Sequence, residues 1–227
     1  MEMRGIWGVF YIISLWLTRM AGINFLWFCF NLPVAMVVYN LLMVNDIEEL
    51  FIFLGLLFIL MPFVTFPATT ALFAIVRRWI IGEEIKIIKG FWEYYKKNYF
   101  ESLKGGIFLT LIWCSMLFYY YILKFHSLEI FTYLFYLLLA LLFVFTIHFF
   151  SITVHFHSRT LTVLKHAMLF TVINPVLTME IIVVSGLLIY LSSTYFSFLI
   201  PFFIGSTIAF VSFMGFYRFT SKLKIVE

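Results

Sequence analysis

The chain is a succession of apolar runs, each close to twenty residues long and each ended by charge or a short polar break. Six such runs cover residues 23–44, 50–76, 105–123, 128–154, 175–191 and 195–216. An α-helix rises about 1.5 Å per residue, so roughly 20 apolar residues cross the ~30 Å hydrocarbon core of a bilayer. Hydrocarbon offers the backbone no water, and only a helix satisfies its own polar groups within a single segment. The pattern predicts an all-α, polytopic helical membrane protein with one transmembrane domain over residues 1–227 and six transmembrane helices. The link Ser192-Ser193-Thr194 is brief enough for the last two runs to form either a tight hairpin or a re-entrant pair.

Composition excludes a water-soluble fold. Hydrophobic residues fill 64% of the 227 positions and charged residues 11%, against roughly 45–50% and about 25% in soluble domains. The formal net charge of +4 gains its meaning from placement. With the N-terminus in the cytoplasm, fourteen of the fifteen basic residues fall on the inner side: Arg4, Arg19, Arg77, Arg78, Lys86, Lys89, Lys96, Lys97, Lys104, Arg159, Lys165, Arg218, Lys222 and Lys224. Lys124 alone falls outside, and the first outer loop carries Asp46, Glu48 and Glu49. This positive-inside bias predicts both termini in the cytoplasm. It also makes the anionic headgroups of the lipid bilayer, not nucleic acid, the expected partner of the basic residues.

Three stretches are too short or too polar to cross. Residues 3–20 hold about 14 positions between Arg4 and Arg19, too few for a span and suited to an interfacial helix. A cleaved signal peptide is the rival reading, but no small-x-small cleavage pattern follows the run. In residues 90–104, Phe91, Trp92, Tyr95, Tyr99 and Leu103 recur at helical spacing against Glu93, Lys96, Lys97 and Glu101, as in an amphipathic interfacial helix. Residues 158–171 repeat the plan, with Ser158 as N-cap and Leu161, Leu164 and Met168 as the apolar side, stopping before Asn174-Pro175.

The most informative segment is Pro62-Phe-Val-Thr-Phe-Pro67-Ala-Thr-Thr-Ala71 in the second run. Each proline removes a backbone donor and presses on the carbonyl four residues earlier, freeing the carbonyls of Phe58 and Phe63. Thr65, Thr69 and Thr70 supply hydroxyls as replacement partners. Two readings follow: a structural kink patched by threonines, or a broken helix of the kind that binds ions or substrates in transporters. Apart from Glu129 at the very start of the fourth run, Glu180 is the one carboxylate inside a run. It reads as half of an ion pair with Arg77, Arg78 or Lys165, or as a site for a coupling ion or proton.

His148, His155 and His157 stand near the inner end of the fourth run without acidic or cysteine neighbours to complete a metal set. Cys29 and Cys114 read as buried free thiols, Asn24, Asn31 and Asn40 as hydrogen-bonding groups between helices, and Gly205-x-x-x-Ala209 as a point of close helix approach. No phosphate-cradling glycine loop, nucleophile elbow, zinc motif or catalytic triad spacing occurs. The expectation is a protein that is not an enzyme and carries no cofactor.

Phe66-Pro67-Ala68-Thr69-Thr70-Ala71-Leu72-Phe73, followed by Arg77-x-Trp79 and Phe91-Trp92-x-x-Tyr95-Lys96, resembles the YesL-like family, also called domain of unknown function 624. Asn24-Phe25-Leu26-Trp27 with Leu32-Pro33 fits the same pattern, as does Leu164-Lys165-x-Ala167 before Asn174-Pro175. The resemblance implies a bacterial multi-span protein of the cytoplasmic (cell) membrane without an established activity. Genes of the family often neighbour sugar-uptake and polysaccharide-degradation genes. That context implies a non-catalytic accessory or assembly partner of a carbohydrate transport system, with sugar transporter subunits as partners. The alternative is a small transporter or channel with its site at the broken second run and Glu180. A lipid-modifying membrane enzyme is the third class, and no convincing set of acidic or His/Ser groups supports it. The residues that carry these readings are Phe66, Pro67, Thr69, Thr70, Arg77, Trp79 and Glu180.

Overall fold

The computed structural model of the chain describes residues 6–125, 129–156 and 158–226, and these fold as helices without a strand. Arg4 and His157 lie outside the described residues, as do the first three residues of the 3–20 segment, the start of the 128–154 run, and the side chains of Lys124 and Lys224. Among the described residues five helices are long and apolar enough to cross a membrane: Gly8–Phe30, Ile47–Ile80, Tyr99–Tyr120, Phe131–His155 and Pro175–Thr194. The protein is an all-α polytopic membrane protein.

The expected division between an interfacial segment 3–20 and a span 23–44 is not where the chain breaks. Helix α1 runs without interruption over Ile6–Phe30, and α2 follows over Leu32–Met43. No proline occurs before Pro33, so nothing interrupts the backbone ladder earlier. The break falls at Asn31 (φ −90°, ψ 4°), directly ahead of Leu32-Pro33.

Helix α3 (Ile47–Leu60) passes through a π-helical turn, Met61–Thr65, into α4 (Phe66–Ile80). Within the π-turn the N–H of Phe66 bonds the carbonyl of Met61, five residues back; Pro62 lies in this widened turn and Pro67 just beyond it. At 34 residues the run Ile47–Ile80 is about 50 Å long, well beyond the ~30 Å hydrocarbon thickness. A turn through Gly82, whose φ of 84° suits the residue without a Cβ, leads to α5 (Ile87–Lys97) and α6 (Tyr99–Phe125). The expected helix 90–104 is thereby divided at Asn98: its first half is α5, and its second half opens the long α6. Gly90, Phe91 and Tyr94 form the buried face of α5, while Trp92 is 49% exposed.

Helix α7 (Glu129–His155) returns, and α8 (Thr160–Ile173) begins after Arg159, not at a Ser158 cap. The buried face of α8 is Val163, Leu164, Ala167 and Thr171, whereas the expected Leu161 and Met168 are exposed. Asn174 then caps α9 (Pro175–Thr194), its side chain accepting the N–H of Leu177 at 3.2 Å. The run 195–216 is not one helix. A turn and the single-turn α10 (Leu199–Phe202), which contains Pro201, precede α11 (Ile204–Val226).

The core gathers around α4. Eleven of its fifteen residues are buried, and they pack against α1, α5, α6, α7 and α11. Small residues permit the close approach: Ala68, Ala71 and Ala74 on α4, Gly205 and Ala209 on α11, Gly105 and Gly106 on α6.

Candidate functional site

The threonine hydroxyls do not reach the carbonyls of Phe58 and Phe63, and the Thr65 hydroxyl is buried without a partner. Thr69 Oγ1 donates to the carbonyl of Thr65 at 2.7 Å and Thr70 Oγ1 to that of Phe66 at 2.9 Å. Both are i→i−4 hydroxyl bonds onto carbonyls that open α4, an ordinary arrangement for threonine within a helix. Both hydroxyls also accept from neighbouring helices. Trp27 Nε1 on α1 donates to Thr69 Oγ1 at 3.0 Å, and Ser102 Oγ on α6 to Thr70 Oγ1 at 2.8 Å. Each threonine thus joins a neighbouring helix to the first turn of α4.

Phe66 is 5% exposed and sits in a socket made by Gly106, where a Cβ would lie 2.8 Å from its ring. Phe149 fills the matching place over Gly105, and the rings of Phe149 and Phe150 lie 6.3 and 5.4 Å from Phe66. Pro67 is buried on α4. Trp79, also buried, meets Trp16 edge-on at 6.4 Å and carries the Arg19 guanidinium 6.0 Å over its ring. Arg19 in turn pairs with Glu84 at 3.0 Å, tying α1 to the turn that follows α4.

Asn24 is the polar residue that the sequence placed correctly between helices. Fully buried on α1, it donates to the carbonyl of Ile200 at 2.9 Å and accepts the N–H of Ser206 at 2.8 Å. These are backbone groups left open where α10 gives way to α11, so Asn24 caps from another helix. Asn31 and Asn40 instead bond carbonyls of their own helices, those of Trp27 and Met36.

Glu180 does not join this assembly. It is exposed on α9 and lines an open groove of about 440 Å³ shared with Phe210, Met214, Arg218 and Lys222 of α11. Its expected partner Arg78 is paired with Glu83. Cys29 and Cys114 are free and half-buried. His148 is fully buried in α7 without a hydrogen-bond partner, and the His155 ring packs among Phe156, Phe213, Phe216 and Tyr217. Among the described residues no three His, Cys, Asp or Glu side chains converge. At the surface of α5, burial and then the neighbouring Tyr99 push the Tyr95 phenol above its ordinary value, and its ring packs at 5.3 Å against Phe30.

Sequence reasoning missed three parts of this arrangement. The Gly105-Gly106 pair was a legible signal, since adjacent glycines within an apolar run mark close approach. Ser102 was legible only as a polar residue among aromatics. The role of Asn24 as a cap for α11 depends on Pro201, which lies 177 positions away in the chain and has no local signature.

Residues 20–120 match a family described as "Protein of unknown function, DUF624". Over 155 residues the chain is 31% identical to "Uncharacterized protein YteU" of Bacillus subtilis (strain 168), covering 63% of this chain and 66% of that protein, just under two thirds of its length. No solved structure matches. The matched interval contains the π-turn, α4, the α5 aromatics and the glycine sockets of α6, and over it the chain is similar to the DUF624 family of proteins of unknown function.

Proposed function

We propose that this membrane protein is a non-catalytic accessory or assembly partner of a carbohydrate-uptake system in the bacterial cytoplasmic membrane, with six spans and both termini inside. The observation that carries the reading is the inward turn of the motif. Thr69, Thr70, Trp27 and Ser102 bond one another and the kinked backbone, so the segment works as a structural keystone. The gene context implied by the family supplies the carbohydrate link. The inner-side bias of Lys and Arg supports the orientation and a bilayer with anionic headgroups as the surrounding partner.

The test is co-purification in a gentle detergent from native membranes. The full chain should retain sugar-transporter subunits, and its deletion should slow sugar uptake. Isolation of the chain alone together with unchanged uptake overturns the proposal.

One observation favours the second reading, a small transporter or channel at the broken second span: π-turns inside helices recur at functional sites. Purified protein in liposomes would then move a solute, and Pro67→Ala would change the rate. A broad solute panel without flux removes this reading.

A further inference from the structure

Beneath the keystone the protein holds a small polar cavity that neither the family nor the motif reading assigns. It has a volume of about 260 Å³ and is lined by Ala74, Arg77 and Arg78 of α4, Glu83 of the Gly82 turn, Tyr94, Lys97 and Asn98 at the α5–α6 junction, and Val154 of α7. Three cations face one carboxylate, leaving two positive charges in excess. The Nε atoms of Arg77 and Arg78 are both buried without an acceptor. A buried guanidinium N–H that donates to nothing keeps its full desolvation cost, and an anion beside the two guanidinium groups would offset that cost through their positive charge.

From this geometry we infer that the cavity is a binding site for a phosphate-class oxyanion. Guanidinium groups present planar pairs of donors that match phosphate oxygens, and Lys97 adds a point charge. Asn98 stands at the N-terminal end of α6, where the helix dipole favours negative charge. Arg78 lies 5.6 Å over the Tyr94 ring, which holds the guanidinium against the wall. Glu83 pairs with Arg78 and occupies the anion's place from within. Its backbone N–H bonds the carbonyl of Arg78 at 2.9 Å, and the positive φ of Gly82 lets the chain fold back to put it there. A neighbouring cleft of about 310 Å³ shares Lys97 and Asn98 and adds Arg159 and Glu101, a charge-balanced pair, giving room for whatever the phosphate is attached to. The oxyanion belongs either to a free phosphate compound in the cytoplasm or to the headgroup of an anionic phospholipid.

The experiment uses the full chain in a neutral detergent and reads its thermal unfolding midpoint against two probes, inorganic phosphate and micellar dioleoylphosphatidylglycerol. Sodium chloride at matched ionic strength is the reference. The expected result is a saturable rise with at least one probe, and which probe acts identifies the source. Arg77→Gln and Lys97→Gln should each weaken the apparent affinity about tenfold, the loss of one charge-assisted contact. Glu83→Gln should strengthen it several-fold by removing the internal competitor. Lys97 is exposed, so Lys97→Gln reads the site even where Arg77→Gln fails to fold. The inference is overturned if neither probe exceeds the chloride reference, or if Lys97→Gln and Glu83→Gln both respond as the unaltered protein does.

Discussion

Residues 47–80 form one helical run whose two halves live in different surroundings. In α3 none of the fourteen residues is buried, and in α4 eleven of fifteen are. The α3 half carries Leu, Ile and Phe at most positions, while the α4 half mixes Ala and Thr with large residues. In water the more hydrophobic half would be the one inside. In lipid the order reverses, because tails solvate Leu and Phe as well as protein does, and the segment that others surround is the one with small side chains. The π-turn at Met61–Thr65 marks the change of surroundings, and the widened turn aims the α4 face at α1, α6 and α11.

The largest expected effect is at Phe66. Phe66→Ala empties the Gly106 socket and should cost about 3–5 kcal/mol, whereas Phe51→Ala in the exposed half should change stability by less than about 0.5 kcal/mol. Equal costs at the two positions, measured by unfolding in a mixed detergent series, would erase the contrast between the halves. Asn24→Ala comes next. It leaves the Ser206 N–H and the Ile200 carbonyl open inside the protein, at about 1–3 kcal/mol for each group. Asn40→Ala, exposed on α2 and bonded within its own helix, serves as the near-neutral control.

Glycine substitutions sharpen the same comparison. A Cβ at Gly106 meets the Phe66 ring, while one at Gly55 on α3 meets nothing within 4 Å. Gly106→Leu should lose about 1–3 kcal/mol by overpacking, and Gly55→Leu should be tolerated or gain helix propensity. The smallest effect belongs to Ser102→Ala. It removes one interhelical hydroxyl bond worth about 0.6 kcal/mol by membrane double-mutant averages, because Thr70 keeps its bond to Phe66. A double-mutant cycle with Thr70→Val isolates that coupling.

The helical class and the irregular turn at Pro62 and Pro67 were legible because hydropathy and proline chemistry act locally, whereas the threonines bond the first turn of α4 and not the carbonyls of Phe58 and Phe63. The ends of the helices were less so. The run 23–44 reads as continuous apolar sequence, and only the hydrogen-bond demand at Asn31-Leu32-Pro33 places the break there. The run 195–216 likewise hides a break at Pro201. Amphipathic reasoning on α8 named Leu161, Leu164 and Met168 without separating Leu164, which packs inward with Ala167, from Leu161 and Met168, which face outward. An apolar face directed at lipid and one directed at protein look alike to a periodicity argument. Glu180 was grouped with the kink because both are unusual within spans, but α9 directs it to a groove shared with α11. The Arg77–Lys97 cavity was invisible in the sequence, where its two sides are twenty residues apart on different helices.

Thiol labelling in native membranes tests directly whether α4 is enclosed by protein while α3 faces lipid. Single cysteines are placed at Ile52, Ile59, Ala71 and Ala74 in a chain carrying Cys29→Ser and Cys114→Ser, then treated with a charged methanethiosulfonate or a lipid-soluble maleimide. The account predicts that positions 52 and 59 take only the lipid-soluble reagent, and that 71 and 74 take neither until the protein is denatured. Labelling of 71 or 74 by the charged reagent in intact membranes would reveal water beside α4 and contradict it.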